Sequence, residues 1–354
     1  VHDVFEQSGA LHDVALADTD GDRRPELITL ASLPSPAGDD VSEVPTGVGA
    51  LGVQHLSHGD GLRWLALSGP FTRVLSLDFD HEGDLDLLLY GSSQIVLLRN
   101  DGETWTDATP AALAELGPAR HVAVEDIDGD NDVDLIVVSD GVHLLSSLRG
   151  GRFADVTSTW LPTGLDAEHV WLGDVDADRH PDLLAHSGDE TSLWLFRPGD
   201  DLAQESTLAG RFEAAGRSRA VLRDAELDAV QLADVDADGL MDLHVGHAIQ
   251  RGPLGRWFAP NSPEVSLLAG MPPVRDAALY DLHDDGQAEF LGTTADGVII
   301  WNREDGQQRF PGITLHLEAL KDNARGYGSI VELRAGELYS RTYVRGGRTT
   351  LGLD

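Results

Sequence analysis

Cysteine is missing from all 354 residues, which excludes disulfides, thiolate metal centres, covalently attached haem and cysteine nucleophiles. The absence does not place the compartment. Lysine is nearly missing too, with Lys321 alone, so the 25 basic residues are almost all arginine, against 61 acidic ones. The net charge of −36 argues against nucleic acid or an anionic membrane as partner, because both attract basic surfaces. Long hydrophobic runs are absent: "DLLLY" and "LIVV" are strand-sized, well short of the ~20 residues of a spanning helix. Helix signals are sparse, and only "TPAALAEL" from Thr109 reads as a helical turn or two. The opening "VHDVFEQSGA" is not built like a signal peptide, and is expected to be a mature terminus or the edge of a longer chain.

What is present is one loop, written six times. It reads "DTDGDRRPEL" from Asp18, "DFDHEGDLDL" from Asp78, "DIDGDNDVDL" from Asp126, "DVDADRHPDL" from Asp174, "DVDADGLMDL" from Asp234 and "DLHDDGQAEF" from Asp281. Start-to-start spacings are 60, 48, 48, 60 and 47 residues. An alternating apolar stretch precedes each copy, as in "HDVALAD" and "HVWLGD", and a hydrophobic run follows. With 41% apolar residues for a core, and 39 Gly and 16 Pro marking turns, this pattern predicts an all-β fold, a β-propeller with one blade per repeat. Six blades carry the motif, and a seventh exists if residues 312–354 form one. The expected division is a propeller over 1–311, its amino-terminal strand closing the last blade, followed by a β segment over 312–354.

Read as a strand, the opening of each copy would stack like charges along one face, which is destabilising. Read as a loop, it converges carboxylates on a cation. Calcium takes six to eight oxygen ligands at ~2.3–2.6 Å in irregular geometry. Acids at positions one, three and five, a backbone carbonyl at seven and a bidentate acid at nine supply such a shell. The expected ligands are Asp18, Asp20, Asp22, the Arg24 carbonyl and Glu26; Asp78, Asp80, Glu82, the Asp84 carbonyl and Asp86; and Asp126, Asp128, Asp130, the Asp132 carbonyl and Asp134. They continue with Asp174, Asp176, Asp178, the His180 carbonyl and Asp182; Asp234, Asp236, Asp238, the Leu240 carbonyl and Asp242; and Asp281, Asp285, the Gln287 carbonyl and Glu289. His283 at the third position makes the sixth site weaker than the five well-formed ones. An EF-hand would place its bidentate Glu at position twelve between helices; here the acid is at nine between strands. Position six needs a sharp turn and holds Gly83, Gly239, Gly286 and Asn131, whereas Arg23 and Arg179 predict strain or reshaping in the remaining two copies. A solvated acidic turn explains one such loop but not six in one register.

These loops resemble the FG-GAP/VCBS repeats of integrin-α-like propellers. The segments "FADVTSTW" from Phe153, "WTDATPAAL" from Trp105 and "HDVFEQSG" from His2 resemble the F-x-D-V-T blade strands of bacterial relatives of cartilage acidic protein 1. The tail "KDNARGYGSIVELRAGELYSRTYVRGG" from Lys321 resembles the ASPIC/UnbV segment that follows such propellers, with its N-x-x-G-x-G spacing kept by Asn323, Gly326 and Gly328. Tyr327 and Ser329 depart from that pattern, and the family segment runs on further, so a truncated carboxyl end is expected. The resemblance implies a calcium-binding, extracytoplasmic propeller.

Other motifs fit chemistry less well. "GVGALG" from Gly47 matches a dinucleotide-binding spacing but leads into a strand-like stretch, without the required helix. "NDGETW" from Asn100 suits a blade turn, and the pairs His244/His247 and His55/His58 suit strand or surface positions. No catalytic constellation is recognisable. The first functional reading is therefore a non-catalytic interaction, adhesion or assembly module, extracellular, on a cell surface or periplasmic. Its partner would be a protein, a glycan or a larger assembly, with no direct membrane insertion. The alternative is a calcium-dependent enzyme, lyase or hydrolase, acting on acidic polysaccharides through "RGPLGRWFAP" from Arg251 or "GRSRAVLRD" from Gly216.

Overall fold

The computed structural model describes residues 10–21, 26–32, 49–55, 63–102, 104–199, 210–219, 222, 227, 230–233, 241–245, 248–250, 258, 266–267, 276–280, 289–294, 297–301, 312–317, 330–335, 338–343 and 348–352. Strands dominate. The first blade is β1 (Ala10–Ala17), β2 (Glu26–Ser32), β3 (Gly49–His55) and β4 (Arg63–Ala66). The second is β5 (Arg73–Leu77), β6 (Asp86–Tyr90), β7 (Ile95–Asn100) and β8 (Trp105–Asp107), followed by the short helix α1 (Ala111–Ala114) that the sequence predicts. The third is β9 (His121–Glu125), β10 (Asp134–Val138), β11 (Val142–Ser147) and β12 (Phe153–Asp155), then a second short helix, α2 (Thr157–Trp160). The fourth is β13 (His169–Gly173), β14 (Asp182–Ser187), β15 (Glu190–Pro198) and β16 (Gly210–Ser218), and the fifth β17 (Val230–Ala233), β18 (Asp242–Val245), β19 (Ala248–Gln250) and β20 (Ser266–Leu267). The sixth shows three strands, β21 (Asp276–Tyr280), β22 (Glu289–Thr294) and β23 (Gly297–Trp301).

Each blade is an antiparallel meander with its strands paired in chain order. First strands of successive blades meet, β1 with β5, β9 with β13 and β13 with β17, and β21 returns to β1. The chain is an all-β propeller whose first strands surround a common axis. Of residues 1–17, expected to close the last blade, Ala10–Ala17 are β1, paired with β2 in the first blade, and residues 1–9 lie outside the described residues. Beyond the blades, β24 (Gly312–His316), β25 (Ile330–Ala335), β26 (Leu338–Tyr343) and β27 (Arg348–Gly352) pair differently. The β25–β26 hairpin is nested inside the β24–β27 pairing, not laid out as a meander.

The apolar runs follow from burial on both sheet faces. In β6, Leu87 and Leu89 enter a core shared with blade one (Ile28, Leu30, Leu51), while Leu88 and Tyr90 enter one shared with blade three (Val122, Leu135, Val137). In β10, Ile136 and Val138 face blade four instead. A strand covered on both sides reads as a continuous hydrophobic run, the pattern usual for parallel sheets, though these are antiparallel. Outer strands are anchored by an Asp-x-Thr staple. Thr109 Oγ1 donates to Asp107 (2.6 Å) and accepts from the Leu97 amide (2.9 Å); Thr157 Oγ1 accepts from the Leu144 amide at 2.8 Å. This gives the "WTDAT" and "FADVT" segments a physical reason for recurring.

Two decoys are absorbed by the blades. Gly49 to Gly52 of "GVGALG" form the start of β3, hydrogen-bonded to strands on both sides. Asp101 bonds Thr104 across the β7–β8 turn, with Gly102 at φ 81°. His244 is a buried residue of β18, while His58 and His247 lie outside the described residues.

Candidate metal centres

The acidic loops of the second, third and fourth blades each join the blade's first strand to its second. Four of the six copies bring the same three positions together. Asp18, Asp20 and Glu26; Asp78, Asp80 and Asp86; Asp126, Asp128 and Asp134; and Asp174, Asp176 and Asp182 each place one carboxylate oxygen within 4.8 Å of the others. These are the first, third and ninth positions. The fifth-position acids Glu82, Asp130 and Asp178 are not in these triads. Asp130 and Asp178 accept the amides of Asp132 (2.9 Å) and His180 (3.0 Å). The seventh-position side chain of Asp132 turns away to accept from Arg149 Nε at 2.9 Å, with His81 of the neighbouring loop 3.3 Å away. Asp22, Arg24, Asp234, Asp236, Asp238, Leu240, Asp281, Asp285 and Gln287 lie outside the described residues. Asp242 is fully buried at the start of β18, and Glu289 opens β22.

Backbone handedness shapes the loops. The sixth position is left-handed in all three fully described copies: Gly83 at φ 88°, Asn131 at 69° and Arg179 at 84°. Arg179 keeps the turn by adopting a conformation that costs a non-glycine residue roughly 1–2 kcal/mol. The fourth position is left-handed too, at Gly21 (75°), His81 (65°), Gly129 (79°) and Ala177 (59°). Sequence reasoning missed this second turn, although Gly21 and Gly129 signal it. The two turns point loop amides inward: Asp126 Oδ1 accepts from Gly129 (2.8 Å) and Asp130 (3.1 Å), and its Oδ2 from Asn131 (3.2 Å).

The ninth-position acid has a further task that the sequence did not disclose. Asp134 accepts from the Ile127 amide (3.0 Å) with one oxygen and the Ser147 amide (2.9 Å) with the other. Asp182 does the same with Val175 (3.0 Å) and Phe196 (2.9 Å), and Asp86 with Phe79 (3.2 Å) and Asn100 (2.8 Å). The acid thus ties its loop to the third strand of the blade. Its donors are backbone amides, so no side chain marks them.

Burial, followed by neighbouring carboxylates, pushes these acids up. Asp78 and Asp128 rise to about 7 and Asp86 and Asp182 to about 8, with Asp134 well above its ordinary range. Burial likewise takes Asp174 to about 6. Asp78 Oδ1 and Asp128 Oδ2 are buried and accept no hydrogen bond. Buried acceptors without a donor are costly unless something else satisfies them. A cation at the triad would do so, and oxygen-only donors suit a hard divalent ion. These residues can hold a metal ion.

The FG-GAP-like repeat matches residues 78–137 and 126–185, two overlapping matches that span the second, third and fourth copies of the loop. No curated protein matches the chain. Solved structures with similar folds include the Photorhabdus luminescens Tc holotoxin pore, 18% identical over 78% of this chain and 13% of that one, with a TM-score of 0.41. An Agrocybe aegerita protein that recognises non-reducing terminal N-acetylglucosamine is 14% identical over 85% and 87% of the two chains, TM-score 0.43. An exotype rhamnogalacturonan lyase is 14% identical over 82% and 56%, TM-score 0.39. The chain thus spans about an eighth of the first and just over half of the third.

Proposed function

We propose that the protein is a calcium-binding β-propeller serving as a non-catalytic interaction or assembly module outside the cytoplasm. The observation that carries this reading is the fourfold recurrence of one acidic triad at the first, third and ninth loop positions, its ninth-position acid buried in every copy. Magnesium holds its waters and a strict octahedron, and zinc prefers nitrogen and sulfur, so irregular carboxylate loops suit calcium best. Bound calcium would supply the positive charge these acids lack and fix the loops. Six ions would take the net charge from −36 only to −24, leaving a strongly acidic surface. Millimolar extracellular calcium matches loops of this type, whose modules bind at ~10⁻⁴–10⁻³ M. No helix among the described residues is long and apolar enough to cross a membrane. A protein, a glycan or a larger extracellular assembly is the partner this reading implies.

An enzyme acting on acidic polysaccharide would need free arginines. The described arginines of "GRSRAVLRD" face acids instead, Arg217 with Glu190 at 3.0 Å and Arg219 with Asp189 at 3.7 Å, which favours the module. The test is thermal melting with calcium, magnesium or chelator. Calcium at a hundredfold excess over its dissociation constant stabilises by about 2.7 kcal/mol per site, raising the melting temperature, and magnesium does less. An unchanged melting temperature in chelator overturns the reading.

A further inference from the structure

The described loops are alike in frame but unlike in what neutralises them. In the fourth blade Arg197, at the end of β15, reaches across the loop. Its Nη1 donates to Asp178 Oδ2 at 2.6 Å and its Nη2 to Asp176 Oδ2 at 3.0 Å. Asp176 is the third-position acid of the triad, so a guanidinium already sits on one of the oxygens' owners and on the fifth-position acid beside it. In the third blade the corresponding arginine, Arg149, is aimed elsewhere. It bonds Asp132 and the Asp130 carbonyl rather than the third-position acid Asp128. Burial differs in the same sense: the three acids of that triad are 0–1% exposed, while the Asp176 side chain is 31% exposed. The third loop therefore has a buried oxygen, Asp128 Oδ2, waiting for a donor, and the fourth has its charge partly met from within.

We propose that Arg197 acts as the resident cation of the fourth loop, holding it in shape without metal and making it bind calcium more weakly than the third. This rests on the reading of the loops as calcium sites. To bind, calcium must displace the guanidinium from Asp176, and Arg197 remains nearby as a repelling charge. The device lets one blade keep its loop ordered at calcium concentrations that leave that site unfilled, while the third loop depends on the ion. Arg197 is thus an affinity-setting residue.

The experiment is calcium titration of the full chain by isothermal calorimetry, with hydrogen exchange of residues 174–182, on the wild type, Arg197→Gln and Arg149→Gln. Two partly exposed ion pairs set the scale: the fourth-loop site, followed through the calcium-dependent protection of residues 174–182, should tighten roughly twofold to thirtyfold in Arg197→Gln. In the same variant, metal-free amide exchange at 174–182 should quicken. Arg149→Gln should leave the fourth-loop affinity unchanged. Equal affinities in wild type and Arg197→Gln, with calcium still bound elsewhere, overturn the inference alone. An equal gain in Arg149→Gln reduces the effect to general charge and overturns it as well. No calcium binding by the wild type fails the underlying reading, a result distinct from either.

Discussion

Asp134 and Asp128 belong to the same loop and both are buried, yet their oxygens meet different neighbours. Asp134 is at the floor, with each oxygen taking an amide, one from its own loop and one from the third strand. Asp128 is at the rim, where Oδ1 takes the Asp130 amide and Oδ2 takes nothing. The floor acid would be needed by the blade whether or not an ion is present. The rim acid has a reason to be buried only if an ion comes. A recurrent Asp is thus two kinds of residue in one motif: a structural acceptor that doubles as a ligand, and a ligand proper.

The widest separation between the two should appear in metal-free protein. Asp134→Ala leaves two buried amides without acceptors, at about 1–3 kcal/mol each, so a loss of about 3 kcal/mol or more is expected. Asp128→Asn retains an acceptor for the Asp130 amide and removes a desolvated charge, so metal-free stability should change by less than about 1 kcal/mol. Both should lower calcium stoichiometry by one. Urea denaturation with and without calcium separates them; equal metal-free losses would erase the distinction.

A smaller, collective effect should come from pH. Floor acids Asp86 and Asp182 are raised by burial to about 8 and Asp128 at the rim to about 7, from 3.8 in the unfolded chain. Each binds its proton more tightly when folded, so the folded state holds more protons between about pH 4 and about pH 8. Their contribution to stability is complete below about pH 4 and is lost as pH rises through the folded values. Metal-free protein should melt at least about 5 °C lower at pH 8 than at pH 5.5. Calcium needs the deprotonated acids, so it should release protons on binding and flatten or reverse that slope. A metal-free melting temperature that climbs from pH 5.5 to 8 would contradict the raised values.

Much of this was legible in the chain. Six copies of one acidic frame fixed the repeat, and runs such as "LIVV" gave the second strands, because both faces of a blade are covered. The triad positions one, three and nine could be named because side-chain identity recurs there. What was hidden has backbone as its agent: the amides of Ser147 and Phe196 that hold the floor acids leave no trace in residue type. Arg149 and Arg197 were hidden for another reason. Each is brought to its loop by the β10–β11 or β14–β15 pairing, from 17 or more residues away, so no local spacing announces it.

The left-handed fourth position gives the smallest and cleanest test of how the rim is built. Ala177 sits at φ 59° where two other copies have Gly21 and Gly129, so it bears a strain that glycine would not. Ala177→Gly removes roughly 1–2 kcal/mol of that strain but frees the unfolded chain by about 0.5–1 kcal/mol, for a net gain of about 0.5–1 kcal/mol. Gly129→Ala should show the converse. A Cβ there meets nothing within 4 Å, so its cost, about 1 kcal/mol, is backbone strain alone. Shifts in the urea midpoint of opposite sign would show that the rim is set by backbone conformation before any ion binds. Were both substitutions neutral in metal-free protein, the left-handed turn would have to be a consequence of the carboxylates' positions and not their cause.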